Sequence, residues 1–131
     1  MCGIVGFCGR RNAAPILLEG LEKLEYRGYD SAGIAVRDGD KPPVVVKTKG
    51  RLKNLAKKTN DGKAVIGSCG IGHTRWATHG EPSENNAHPH CSDDMNVLGV
   101  HNGIIESFQE IKDKLTRKGY TFHTKTDTEA L

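Results

Sequence analysis

No stretch of this 131-residue sequence is apolar for the roughly 20 residues that a helix needs to cross a bilayer, so a helical membrane protein is not expected. The residues behind Met1 show no charged region followed by an apolar run and a cleavage site, so no secretory leader is expected either, and the chain reads as cytoplasmic. Neither sign of charge dominates. Lys and Arg total 19 against 16 Asp and Glu, and a net +3 is too small to argue for nucleic acid. The densest basic run, Lys47 to Lys58, reads as a solvated face. There is no internal repeat and no linker, and the length is that of one domain. Without a leader, the four cysteines Cys2, Cys8, Cys69 and Cys91 are expected as free thiols. His88-Pro-His-Cys91 offers imidazole and thiolate donors, but it lacks the two spaced ligand pairs of a structural zinc site. With Pro82, Asn85-Asn86 and Pro89 around it, a loop from Gly80 to Ser92 is the expected role, and a small zinc module the alternative.

What the sequence does have stands at its start. Removal of Met1 would leave Cys2 with a thiol and a free α-amine in one residue. An ordinary α-amine titrates near 7.7 to 8.0, close enough to neutrality to take a proton during attack by sulfur, so no histidine partner is required. The alternative is an inert cysteine in a buried first strand.

Along the chain, Cys2 to Phe7 suits a buried strand. Asn12 can cap a helix running to about Glu25, with Pro15 in its first turn and Ile16, Leu17, Leu21 and Leu24 facing a sheet. Ser31 to Arg37 and Pro43 to Thr48 read as a hairpin turning at Asp38-Gly39-Asp40, with Pro42 and Pro43 marking an edge strand. Arg51 to Lys58 reads as a short helix, Ala64 to Gly72 as a glycine-rich strand and Asn96 to His101 as another. Ile105, Phe108, Ile111 and Leu115 mark a helix apolar on one side and ended by Gly119. Strand hairpins alternating with helices imply a mixed α/β fold.

Five segments occur in order: Met1-Cys-Gly-Ile-Val-Gly-Phe, Glu25-Tyr-Arg-Gly-Tyr-Asp-Ser-Ala-Gly-Ile-Ala, Gly72-His-Thr-Arg-Trp-Ala-Thr-His-Gly, His101-Asn-Gly-Ile-Ile-Glu and Thr126-Asp-Thr-Glu. Together they resemble the glutaminase domain of class II glutamine amidotransferases, the N-terminal nucleophile hydrolases. Tyr26-Arg-Gly-Tyr-Asp and Arg75-Trp-Ala-Thr-His are most similar to the branch that passes ammonia to fructose 6-phosphate. The resemblance implies a four-layer α/β/β/α sandwich, truncated at the C-terminus, with residues 1–131 a partial domain and the sugar isomerase domains absent. It implies glutamine as substrate, isomerase domains and a second copy as partners of the complete protein, and neither cofactor nor metal. A different acceptor, or a fragment that works only with a partner, stays open.

Glutamine brings an α-carboxylate, an α-ammonium and a neutral amide, so its site needs a cation, an anion and an oxyanion hole at fixed distances. Arg75 suits the carboxylate, because a guanidinium donates two parallel hydrogen bonds. Thr78 and His79 are expected beside it, with Trp76 packing nearby. Asp127 suits the ammonium, and Thr126-Asp-Thr-Glu129 also has the form of a helix capping box. Asn102 and the Gly103 N–H suit the oxyanion, although Asn-Gly is also a common hairpin pair. Arg27 resembles a family arginine near the nucleophile, with a structural ion pair as the alternative.

Overall fold

A computed structural model describes residues 2–77 and 79–131. Its centre is a four-stranded antiparallel sheet, β1 (Gly3–Cys8), β2 (Ser31–Arg37), β3 (Val44–Lys49) and β4 (Cys69–Arg75), in the order β1-β4-β2-β3. β2 and β3 form the expected hairpin, with β3 on the edge. The last strand begins later than its glycines suggest: residues 64–68 are loop, and pairing starts at Cys69, opposite Cys8.

Strand alternation gives the sheet two different faces. Ala32, Ile34 and Val36 point to one side, where α1 (Ala13–Leu24) packs on β1 and β4 and α2 (Leu52–Lys58) packs on β3. Leu17, Leu21, Ile34 and Leu55 are fully buried there. Each such side chain stabilises by about 1.5–3 kcal/mol, which makes this layer the hydrophobic anchor of the fold. Leu17 and Leu21 face the sheet as their spacing predicts, while Ala13, Ala14 and Leu18 are buried in place of Ile16. Asn12 precedes α1 but its side chain does not cap it. It bridges instead to the 62–67 loop, accepting from the Gly67 N–H at 2.9 Å and donating to the Val65 carbonyl at 3.0 Å.

The opposite face carries Ser31, Gly33, His73 and Arg75, all on β2 and β4, and residues 79–131 fold over this end of it. That covering layer contains a two-stranded ladder, β5 (His90–Cys91) with β6 (Leu98–Gly99), and helix α3 (Phe108–Arg117). The ladder is far shorter than the strand expected from Asn96 to His101. The mixed α/β class holds; of the four layers expected, the described residues form the outer helices, one full sheet and this small ladder.

Two charged residues depart from expectation. Along α3, Ile111 is more than a third exposed and Lys112 is the buried residue. Its ammonium donates to the Thr124 carbonyl at 2.9 Å, lies 3.8 Å from Glu129 and sits over the Phe122 ring. Lys47, placed by its neighbours on a solvated face, is half-buried, and desolvation lowers its pKa.

No helix among the described residues is long and apolar enough to cross a membrane. The contact that seats the covering layer is at Gly33, where a Cβ would stand 2.0 Å from the His88 carbonyl oxygen. Gly33→Ala is therefore expected to destabilise by about 1–3 kcal/mol, read as a lower urea midpoint at unchanged m-value. Gly6→Ala, with open space at its Cβ, should be neutral to stabilising.

Candidate active site

Cys2 stands just before β1, and the pairing of Gly3 with Thr74 places it opposite the end of β4. The Gly3 N–H donates to Thr74 Oγ1 at 3.1 Å, which pins the strand start. Half-buried, the Cys2 sulfur accepts the Trp76 N–H at 3.1 Å, and its S–H lies 3.6 Å from the Trp76 carbonyl. Trp76, expected only to pack nearby, thus touches the thiol through its backbone while its ring, half-exposed, lies over Gly28.

Arg75 is 3% exposed. Burial lowers its pKa, opposed by the negative charges of Asp30 and Asp127, which places these groups within electrostatic reach. Its guanidinium holds the turn after β4: Nη1 donates to the Glu81 carbonyl at 3.3 Å, and Nη2 to the carbonyls of His79 and Gly80. Three of five donors are thereby used, so at most two remain for a carboxylate. Thr78 lies outside the described residues. The His79 ring packs on Phe108, and its Nε2 is buried with no hydrogen-bond partner among the described residues.

Asp30, which closes the Tyr26–Asp30 motif, belongs to the same turn. Its Oδ2 accepts the Ala77 N–H at 2.7 Å and its own N–H donates to the Arg75 carbonyl at 2.8 Å, so it anchors the turn that carries Trp76. The signal available was a carboxylate next to Tyr29 in a chain whose turn leaves backbone N–H groups to satisfy. Arg27 sits half-buried in the short 3-10 turn Glu25–Arg27 at the end of α1.

Asn102 reaches the thiol residue from a hundred positions away, its Nδ2 donating to the Cys2 carbonyl at 3.1 Å. Gly103 follows with a φ of 139°, a conformation costly for any other residue, and the pair forms no hairpin between regular strands. Asp127 is 4% exposed and accepts the Ile105 N–H at 2.8 Å, tying the segment after Gly103 to the end of the chain.

The capping box expected around Asp127 does not form. Only a single 3-10 turn follows, Thr128–Ala130, without a side-chain cap. Glu129 turns instead to the preceding loop, accepting from the N–H groups of His123 and Thr124 at 2.7 Å each and from the Thr124 hydroxyl. Thr126 shares a hydrogen bond with His90 Nε2 at 3.1 Å.

A stack of buried histidines, not foreseen from their spacing, runs beneath these groups. His73 and His88 lie ring on ring at 4.1 Å, and His88 meets His90 edge-on at 4.5 Å. Desolvation pulls His73 down to about 4 and His90 to about 3, and lowers His88 as well, with neighbouring cations adding to the effect. Among the described residues no three His, Cys, Asp or Glu side chains gather to hold a metal, and His88, His90 and Cys91 do not converge as a zinc module would require. The chain therefore brings Cys2, Arg75, Asn102 and Asp127 into one cluster.

Residues 41–131 match a family profile described as a glutamine amidotransferase domain. The chain belongs to this family. Over its whole length it is 57% identical to the glutamine--fructose-6-phosphate aminotransferase [isomerizing] of Clostridium tetani and 57% identical to that of Lactiplantibacillus plantarum, and it covers 21% of each. This amidotransferase chain thus spans about one fifth of the length of the curated relatives it matches. The structure of the glutamine phosphoribosylpyrophosphate amidotransferase from B. subtilis, complexed with ADP and GMP, superposes with a TM-score of 0.81 at 30% identity, covering 99% of this chain and 28% of that one.

The histidine stack is expected to make this amidotransferase domain acid-sensitive. Unfolded histidine titrates near 6.5, so below that pH the unfolded state binds protons that buried His73, His88 and His90 refuse. Stability contributed by their neutrality is complete above pH 6.5 and is lost as pH falls toward the folded values. The unfolding free energy should drop between pH 6.5 and 5 by about 1.4 kcal/mol per pH unit for each histidine. Urea titrations at pH 7, 6 and 5 measure it, and a flat profile would contradict neutral burial.

Proposed function

We propose that the protein hydrolyses the side-chain amide of glutamine through a thioester on Cys2, and that in a complete protein the ammonia serves glucosamine 6-phosphate synthesis from fructose 6-phosphate. The observation that carries this reading is the Asn102 amide lying on the Cys2 residue itself, with a buried cation at Arg75 and a buried carboxylate at Asp127 within electrostatic reach of each other. An amide donor beside a thiol is what an acyl-transfer site needs when the tetrahedral oxyanion forms.

In this reading Met1 is removed, and the Cys2 α-amine takes the thiol proton as sulfur attacks the amide carbon. Asn102 Nδ2 and the Gly103 N–H hold the oxyanion. Collapse expels ammonia, protonated by the same amine, and leaves a thioester that water hydrolyses to glutamate with return of the thiol. Arg75 pairs with the substrate α-carboxylate through its remaining donors, and Asp127 with the α-ammonium. His79 lines the pocket and Arg27 and Trp76 support it, while Thr78 is assigned to the substrate by its motif alone. Residues 1–131 are the first part of a type 2 glutamine amidotransferase domain, working in the cytoplasm as a homodimer with sugar isomerase domains that receive the ammonia. The names of the curated relatives favour that acceptor over another.

A second reading keeps the chemistry but makes it depend on further structure. It is favoured by exposed apolar side chains around the covering layer, with Ile104 at 62% and Val97 at 68% exposure.

Glutamate release from glutamine tests both. Cys2→Ala is expected to abolish it, Asn102→Ala to lower kcat by about 10²–10³-fold, and Cys69→Ala to leave it unchanged. Equal rates for Cys2→Ala and Cys69→Ala would refute the assignment. A folded protein with no activity in any form would favour the second reading.

A further inference from the structure

The oxyanion donor proposed above is a primary amide, and an amide works only one way round. Rotation by half a turn about its Cβ–Cγ bond would present Oδ1 to the developing oxyanion and convert a donor into a repulsive acceptor. Asn102 is exposed in a stretch without regular structure, so its backbone does not decide the matter.

His73 does. Its Nε2 lies 2.8 Å from Asn102 Oδ1, while Asn102 Nδ2 lies 3.1 Å from the Cys2 carbonyl. That carbonyl can only accept, so the NH2 end must face Cys2 and the oxygen must face His73. The imidazole then has to donate from Nε2. Its Nδ1 is buried without a hydrogen-bond partner among the described residues. An unpaired lone pair there costs less than an orphaned N–H, and a proton on Nδ1 would also set two lone pairs against each other at Nε2.

We propose that His73 is a positioning residue: as the neutral Nε2–H tautomer it locks the Asn102 amide with its NH2 toward Cys2, ready for the oxyanion.

The ring is suited to hold one orientation. It is fully buried on β4 between Ile4 and Gly33 in the sheet register, and His88 lies flat against it at 16°. His90 closes the stack edge-on and is itself held by Thr126, next to Asp127. The stack therefore links the oxyanion side of the cluster to its carboxylate side. Desolvation keeps the ring neutral and the charge of Arg75 adds to it, together outweighing the hydrogen bonds to Asn102 and to the His101 backbone, which favour the protonated form.

The inference rests on the proposed glutamine hydrolysis, and two measurements separate the two claims. The first needs no activity. Long-range ¹H–¹⁵N spectra of the imidazoles at pH 7, with His73 assigned by the signal lost in His73→Phe, should show the Nε2–H tautomer, and an Nδ1–H tautomer would overturn the proposal. The second is kinetic. His73→Phe keeps the stacked ring but loses the donor, and should lower kcat at least about 10-fold, toward the loss in Asn102→Ala, with KM changed less than about 3-fold. His73→Gln, which carries an N–H near the same place, should restore most of it. Combining His73→Phe with Asn102→Ala should cost no more than Asn102→Ala alone, because the first acts through the second. Wild-type kcat in His73→Phe, or losses that multiply in the double variant, would overturn the proposal. Absence of glutaminase activity in the unmodified folded protein would instead count against hydrolysis by these residues alone, in favour of chemistry that needs further structure, while the tautomer still decides the role of His73.

Discussion

Antiparallel pairing of β1 with β4 is the constraint on which the rest of the cluster depends. It sets residue 2 beside residue 76 across the sheet, and it makes the end of one strand the wall of the other's first residue. Because strand side chains alternate, the same pairing sends Thr74 toward the helices and sends His73 and Arg75 toward the covering layer. The hydrophobic side, built on Leu17, Leu21 and Ile34, fixes the sheet, and the polar side carries the proposed site. The two sides of one strand thus divide the core from the proposed site.

Polar atoms on that second side are bound mainly to one another and to backbone. Arg75 holds the carbonyls of the turn behind it, Asp30 holds the N–H ahead of it, and Asn86 ties both to the far end of the chain by donating to the Glu81 carbonyl and accepting the Lys125 N–H. Such a network orders a loop of little regular structure around the thiol. It also explains why Arg75 can be buried with no carboxylate in direct contact among the described residues, since carbonyl oxygens take up its donors.

Local features were legible where local physics decides them. Apolar spacing placed α1, the Asp38-Gly39-Asp40 turn placed the β2–β3 hairpin, and the prolines beside it placed β3 on the edge. The cluster itself was legible only through motifs, because nothing in periodicity brings Asn102 to Cys2. What escaped depended on distant partners. Asn12 has the chemistry of a cap but finds the Gly67 N–H within reach. The Thr126–Glu129 pair has the spacing of a capping box, yet the unpaired N–H groups of His123 and Thr124 draw the glutamate away. Ile111 has core spacing on α3, but the loop under that helix offers Lys112 a carbonyl, a carboxylate and an aromatic face. His73, His88 and His90 read as separate residues in sequence and become one stack only when Gly33 lets the 88–90 segment lie on the sheet.

The central claim is that Cys2, and no other thiol, sits in a glutamine site. Cys8 and Cys69 are exposed and Cys2 is half-buried, so a reagent reacting by access alone would prefer the first two. Peptide mass spectrometry after treatment with an electrophilic glutamine analogue measures the choice directly. A single adduct is expected on Cys2 of a chain that has lost Met1, prevented by excess glutamine. Adducts spread over Cys8 and Cys69 and indifferent to glutamine would contradict it.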